Sequence, residues 1–442
     1  VPESNIASPP SRSSSLYLGI DLGTSGVRAV LIDDTDQVVA EAAVVLPAPQ
    51  QQGNCVEQDP RHWWSAVVQV MSALRQQTAL DRIRAIAVDG TSGTVLLADA
   101  HGIPLGPALM YNDTRAGDPS PQLARIAPTD SPVHSASSGL AKLLWLARQP
   151  GASDACYFLH QADWVASQLT GRPGFSDPNN ALKSGYDPVE KRWPAWLEAL
   201  PISPAWLPKV QPAGHPLGTV AVRIAAQFGL PRNAMIVTGT TDSTASFIAT
   251  GASKTGEAVT ALGSTLVLKV ISNTPICDQR YGIYSQPLND KWLVGGASNS
   301  GGAVLRQFFT DTQMAEMETR LDPDTPTGLN YYPLCCQGER FPVNDAYYPP
   351  RLSPRPENDA RFFQGLLEGI ATIERLGYER LQECGAPWPI NVRTTGGGAR
   401  NTAWTRLRGR MLNVPLLTAS HTQAAFGAAR LARQGSTTRN AT

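Results

Sequence analysis

Apolar and polar positions along the first part of the chain change period several times, and each period predicts an element. Leu16 to Asp21 and Val27 to Asp33 are aliphatic and β-branched runs flanking a Gly/Thr/Ser turn, so they predict a hairpin, with Gln37 to Val45 as a third strand. From Pro60 to Leu74, behind Asp59 as cap, apolar residues recur at helical spacing. Ile83 to Gly90 then reads as a strand running into a second Gly-Thr-Ser-Gly turn. Lys142 to Arg148 and Asp163 to Leu169 predict short amphipathic helices, whereas residues 171–216, rich in Pro, Gly, Asn and Trp, read as long loops over a surface. The pattern resumes with a strand over Ala234 to Thr240 and a helix over Asp242 to Thr250. A long helix over Phe362 to Leu381, a strand from Val392 into a glycine turn, and a small-residue helix over Thr422 to Gln434 complete it.

One repeat organises these elements. LGTSGVRAVL (Leu22 to Leu31) aligns without gaps on LGSTLVLKVI (Leu262 to Ile271), with Leu, Gly, two hydroxyl residues and two Val positions in common. Two hairpins with hydroxyl-bearing turns, one in each half, imply a duplicated fold. Hairpins alternating with helices imply α/β lobes built on mixed sheets.

Composition narrows the function classes. A chain of 442 residues is long enough for two or three lobes with a crevice between them. Lys plus Arg (37) equals Asp plus Glu (37), so no charge excess points to nucleic acid or an anionic membrane. A small molecule is the expected partner. Apolar residues make up 42% of the chain, and no run approaches the roughly 18 needed to cross a bilayer, which predicts a soluble globular protein. The six cysteines are scattered apart from one adjacent pair, and the six histidines form no metal motif. Free thiols in a reducing compartment are expected. The opening VPESNIASPPSRSSS has no apolar signal core and reads as a disordered arm, while the missing initiating Met leaves open a trimmed organellar leader.

A glycine-hydroxyl turn lets bare backbone N–H groups approach a phosphate, with Thr and Ser hydroxyls donating further bonds. Alone it is equally a good hairpin turn. Here Gly23-Thr24-Ser25 follows Asp21, a second hydroxyl turn stands at Gly263-Ser264-Thr265, and a glycine cluster at Gly396-Gly397-Gly398, which together favour a triphosphate clamp. None is a Walker A or dinucleotide fingerprint. Asp242, opening a helix after a strand, is either an N-cap or a general base. Asp21 and Asp89 end strands, where an Asx contact is the plain alternative, and Asp163 is open to a capping role. The tryptophans at 63, 64 and 196 read as packing rather than sugar stacking.

Seven blocks in order carry a resemblance: Gly19-Ile20-Asp21-Leu22-Gly23-Thr24-Ser25, Tyr111-Asn112-Asp113-Thr114-Arg115, Lys142-Leu143-Leu144-Trp145, Gly239-Thr240-Thr241-Asp242, Leu262-Gly263-Ser264-Thr265, Gly396 to Asn401 and Ala424 to Ala429. Over residues 16 to 433 the chain resembles the FGGY carbohydrate kinases, in particular the xylulokinase/ribulokinase branch and the compact D-ribulose kinase-like proteins of cyanobacteria and plants. The resemblance implies an α/β, two-lobed, duplicated ribonuclease H-like fold of the actin/Hsp70/hexokinase ATPase type with a central cleft. It implies a disordered arm at 1–15, an N-terminal sugar-binding lobe at 16–249, a C-terminal nucleotide-binding lobe at 250–435 and a tail at 436–442.

Carried over by residue, Asp242 would be the base, and Asp21 would support catalysis, magnesium and the sugar. Gly23, Thr24 and Ser25 would line the phosphate path, with Gly263, Ser264 and Thr265 as the opposing turn. Gly397, Gly398 and Asn401 would lie along the nucleoside, and Asp163 would contact substrate. Where xylulokinases carry Gln-Met-His this chain reads Thr91-Ser92-Gly93-Thr94, so Ser92 is placed facing the sugar and xylulose is displaced as first choice. The expected activity is ATP- and Mg²⁺-dependent phosphorylation of a ketopentose, D-ribulose before D-xylulose, by a cytoplasmic or plastid-stromal monomer or homodimer without nucleic-acid or membrane partners. The other readings are a sugar or nucleotide sensor on the same fold, and an actin-like or chaperone ATPase.

Overall fold

A computed structural model describes residues 14–117, 121–129 and 131–437. The expected arm at 1–15 therefore lies outside the described residues except for Ser14 and Ser15, as does the expected tail beyond Thr437. The chain divides into two units: one holds the residues up to Ala249 together with those from Gln423 onward, and the other runs from Thr250 to Thr422.

In the first unit, β1 (Leu16–Leu22) pairs antiparallel with β2 (Gly26–Asp33), which pairs antiparallel with β3 (Val38–Val45). After α1 (Pro60–Gln77) the chain returns as β4 (Ile83–Gly90), parallel to β1. Asp59 starts α1 by accepting a bond from the Arg61 N–H, and Pro60 fills the first turn, where no N–H is needed. Helix α2 (Gly139–Leu146), α3 (Gln161–Thr170) and the short α4 (Pro178–Leu182) follow. The chain then adds β5 (Pro216–Thr219), β6 (Met235–Val237) and β7 (Thr240–Thr241), the last two parallel to β4, and enters α5 (Asp242–Ala249).

The second unit repeats the plan. β8 (Glu257–Leu262) and β9 (Leu266–Ser272) form the hairpin, and β10 (Tyr284–Leu288) and β11 (Lys291–Ser298) extend it antiparallel. After α6 (Asp359–Glu383), β12 (Asn391–Thr395) adds parallel to β8, and after α7 (Thr402–Leu412), β13 (Leu416–Thr418) adds parallel to β12. Each unit thus has a central hairpin with antiparallel neighbours on one side and parallel ones on the other. The repeat seen in the sequence is this hairpin. Its two copies differ by one residue at the bend: Leu22 faces Val27, whereas Leu262 faces Leu266.

Strand alternation assigns the faces of β1. Leu16, Leu18, Ile20 and Leu22 join the core with Trp63, Val67, Val70 and Leu74 of α1. The opposite face meets the last helix, α8 (Ala424–Thr437), whose sequence belongs to the expected C-terminal lobe but which packs on β1, β4 and α5 of the first unit. Small residues allow this approach: a side-chain carbon on Gly19 would lie 1.9 Å from the Ala425 carbonyl oxygen, and one on Gly427 1.8 Å from that of Ala245. In the second unit a fully buried pair joins two helices. Arg408 on α7 donates from Nε and Nη2 to Glu374 on α6, both at 2.6 Å, while Thr260 on β8 donates to the same carboxylate at 2.6 Å. Every oxygen of that buried carboxylate is therefore partnered.

Candidate functional site

Three carboxylates meet at the ends of adjacent strands in the first unit. Asp21 and Asp89 are register partners on β1 and β4, and Thr240 of β7 is partnered with Asp89, which places Asp242 one turn of chain beyond. Asp89 is fully buried, and no N–H or hydroxyl among the described residues reaches either of its oxygens. Burial first, then the neighbouring Asp21 and Asp242, hold its carboxyl well above the usual carboxylate range. Burial also raises Asp21, against the opposing pull of the Asp89 proton and of the Arg28 guanidinium 3.5 Å away. Asp242 is half-buried at the start of α5, where the Ser243 N–H donates to its Oδ1 at 2.6 Å. A carboxylate there gains from the helix N-terminus.

The turn Thr91-Ser92-Gly93-Thr94 leaves β4 immediately beyond Asp89. Thr91 is locked by its N–H and hydroxyl, both donating to Gln161 Oε1, at 3.0 and 2.8 Å. Gly93 has φ +86°, a conformation that excludes most other residues. Its carbonyl accepts from Lys142 Nζ at 2.8 Å, and Lys142 also donates to the Met110 carbonyl at 2.7 Å. Ser92, half-buried between these anchors, spends no hydrogen bond of its side chain on the described residues.

Asp163, expected to contact substrate, is bonded to His160. Its Oδ2 is 2.7 Å from His160 Nδ1 and accepts the His160 N–H, completing a capping box, while His160 Nε2 faces Ser184 Oγ at 3.0 Å. With His160 and Ser184 fully buried, Asp163 orients a scaffold. Gln161 and Lys183 are the residues that sequence reasoning missed here. Neither stands in a recognisable motif, and the short α4 that carries the chain to Lys183 lay within a stretch read as loop.

The second unit holds a cavity of about 400 Å³. Gly263, Ser264, Gly397, Gly398 and Asn401 line it together, whereas Thr265 of the same turn is outside the lining. Asn401 has a structural duty too: its Oδ1 caps α7 by accepting the Trp404 N–H at 2.7 Å. A loop absent from the sequence reading closes the turn from the other side. Gly302 and Ala303 donate N–H bonds to the carbonyls of Gly263 and Ser264 at 2.8 and 3.1 Å, and beside them the buried Ser300 hydroxyl has no partner among the described residues. Bare glycine backbone, the Ser264 turn and the apolar Leu367 and Trp404 in the lining suit a base and ribose with phosphate at the turn.

At the first hairpin, Gly23 closes the bend by donating its N–H to Gly26 at 3.0 Å, leaving Thr24 half-buried and Ser25 exposed. Comparison with protein families matches residues 16–249 to the N-terminal domain, and residues 258–434 to the C-terminal domain, of the FGGY family of carbohydrate kinases. The chain belongs to that family. It is an ATP-dependent sugar kinase, with a sugar and ATP as its substrates. The kinase is 26% identical over 439 residues to a xylulose kinase of Escherichia coli, covering 95% of this chain and 90% of that one. It is 25% identical over 430 residues to a gluconokinase of Bacillus subtilis, covering 89% and 82%. A crystal structure of a xyloylose kinase from Brucella ovis superimposes with TM-score 0.85 at 27% identity, covering 96% of this kinase and 91% of that chain.

Among the described residues no group of three or more His, Cys, Asp or Glu side chains could hold a metal ion, so a divalent cation such as Mg²⁺ would take at most one or two carboxylates of the first unit and its other ligands from elsewhere. No helix of the described residues is long and apolar enough to cross a membrane.

Proposed function

We propose that the kinase transfers the γ-phosphoryl group of ATP to the terminal hydroxyl of a ketopentose, D-ribulose in preference to D-xylulose, giving D-ribulose 5-phosphate. The observation that carries the substrate choice is the Thr91–Thr94 turn: Ser92 stands with an uncommitted hydroxyl between backbone anchors, next in sequence to the carboxylate cluster.

Asp242 accepts the proton of the sugar hydroxyl as its oxygen bonds to the γ-phosphorus. The bond from that phosphorus to the β–γ bridging oxygen breaks, and ADP leaves with the electron pair. Burial raises the Asp89 carboxyl, which lessens the negative charge beside Asp21 and Asp242. Within the second unit the turn at Ser264, with Gly263 giving backbone access, offers donors to phosphate oxygens, and within the first unit the Gly23-Thr24-Ser25 turn has the same donor chemistry. Mg²⁺, held through Asp21, would neutralise charge on the phosphate oxygens when bound.

The test is sugar-dependent ADP release, measured with D-ribulose, D-xylulose, pentitols, glycerol, gluconate and aldoses. The reading expects the highest kcat/KM with D-ribulose. Preference for gluconate or glycerol, or ADP release that no sugar stimulates, overturns it.

A further inference from the structure

A lysine that belongs to no motif of the sequence faces the proposed sugar site. Lys183 follows α4 as its C-terminal cap, and its backbone is pinned, since its carbonyl accepts the Leu140 N–H at 3.1 Å. The elements on either side of it are locked as well. Asn179 on α4 donates to Thr240 Oγ1 at 3.0 Å, two residues before Asp242, and the Ser184 hydroxyl is held against His160. The stem of Lys183 runs along the sugar-facing turn: a side-chain carbon on Gly93 would lie 3.9 Å from Lys183 Cδ.

The ammonium itself is left over. Among the described residues it makes no hydrogen bond and no ion pair, and the opposite charge acting on it is Asp242. By contrast, Lys142 on the other side of the same turn has its donors taken by the carbonyls of Gly93, Met110 and Tyr111. Burial lowers the Lys183 amine from its ordinary value, and Asp242 pulls against that shift. A partly desolvated cation held on a rigid stem, beside a carboxylate yet unbonded to it, lacks an acceptor that a ligand can supply.

We propose that Lys183 is a further substrate-binding residue of the first unit, donating from Nζ to an oxygen of the acceptor sugar beside Asp242. The proposal rests on the sugar-kinase reading of this site. Lysine gives three donors and no acceptor, so it recognises a carbonyl or hydroxyl oxygen of the sugar and complements Asp242, which accepts. The sugar is thereby held between one donor and one acceptor, which fixes its orientation for transfer.

The experiment measures D-ribulose binding to the full chain by equilibrium dialysis without nucleotide, and steady-state kinetics with sugar and ATP varied separately, for wild type, Lys183→Met and Lys183→Arg. Losing a bond from a charged donor should weaken sugar binding and raise the sugar KM in Lys183→Met by roughly 10- to 100-fold, with the ATP KM unchanged and Lys183→Arg recovering part of the loss. Sugar affinity within twofold of wild type overturns the proposal. So does a change confined to kcat or to the ATP KM, because a lysine acting only through Asp242 would produce that. A second measurement needs no variant: in wild type, saturating sugar should shield Lys183 from acylation by acetic anhydride, read by mass spectrometry, and undiminished labelling counts against the contact. If wild type phosphorylates a different sugar, the ketopentose reading fails, and the Lys183 comparison is decided with that sugar instead.

Discussion

Ser92 and Thr24 occupy matching tetrapeptides yet are assigned to different substrates, and kinetics separate them. Ser92→Ala should raise the sugar KM by the worth of one hydrogen bond, about 0.5 to 1.5 kcal/mol, and leave the ATP KM alone, whereas Thr24→Ala should do the reverse. A higher ATP KM in Ser92→Ala would refute the assignment. Buried charge makes a separate prediction at Asp177, the cap of α4, which is fully buried and raised from 3.8 to about 7, by burial first and then by Asp163. Between those two values the unfolded chain has released this proton and the native chain retains it, so this group makes stability fall as pH rises through the window. Asp177→Asn should flatten the dependence of melting temperature on pH there and add roughly 1 to 3 kcal/mol above pH 7. An unchanged profile would show that Asp177 is not buried in its acid form. Asp21 and Asp242 were legible from the sequence because an acid at the end of a strand or the start of a helix is a local pattern. Lys183 and Gln161 were not, because their meaning comes from contacts with a turn some 70 to 90 positions earlier in the chain.

Among the elements, the hairpins were the most legible, since alternation and a glycine turn are short-range signals, and the repeat gave away their duplication. The one-residue difference between the bends was hidden because the ungapped alignment runs through it. The small residues of α8 marked it as a helix, but nothing local says which sheet it meets. Its glycine contacts supply the answer. Gly427→Val should destabilise the first unit by more than about 3 kcal/mol in urea unfolding, since the obstacle is the Ala245 backbone and cannot move aside. A near-neutral effect would mean that α8 is not seated as described. In the second unit, Arg408→Met should cost roughly 3 to 5 kcal/mol by leaving Glu374 charged and buried, and pairing it with Glu374→Leu should recover much of that loss. If the double variant were no better than the single one, a buried unpaired charge would not be the cause.

For the whole molecule, the account divides the substrates between two folded units, with sugar groups in the first and the nucleotide cavity in the second. Hydrogen exchange should therefore slow in peptides from 250–422 when ADP is added and in peptides around 88–94, 177–184 and 240–243 when D-ribulose is added. A ligand at a hundred times its Kd contributes about 2.7 kcal/mol to the state that binds it, ample for detection. The presence of two units was legible early from length and duplication, whereas the return of the last helix to the first unit was not, because a chain that crosses twice leaves no mark in its composition. The central claim is that this fold performs phosphoryl transfer to a sugar with Asp242 as the proton acceptor. It is tested most directly by sugar-dependent ADP release with D-ribulose in wild type and Asp242→Asn. The account predicts turnover roughly 10² to 10⁴ times slower in the variant with ADP affinity retained, and near wild-type turnover in Asp242→Asn would contradict it.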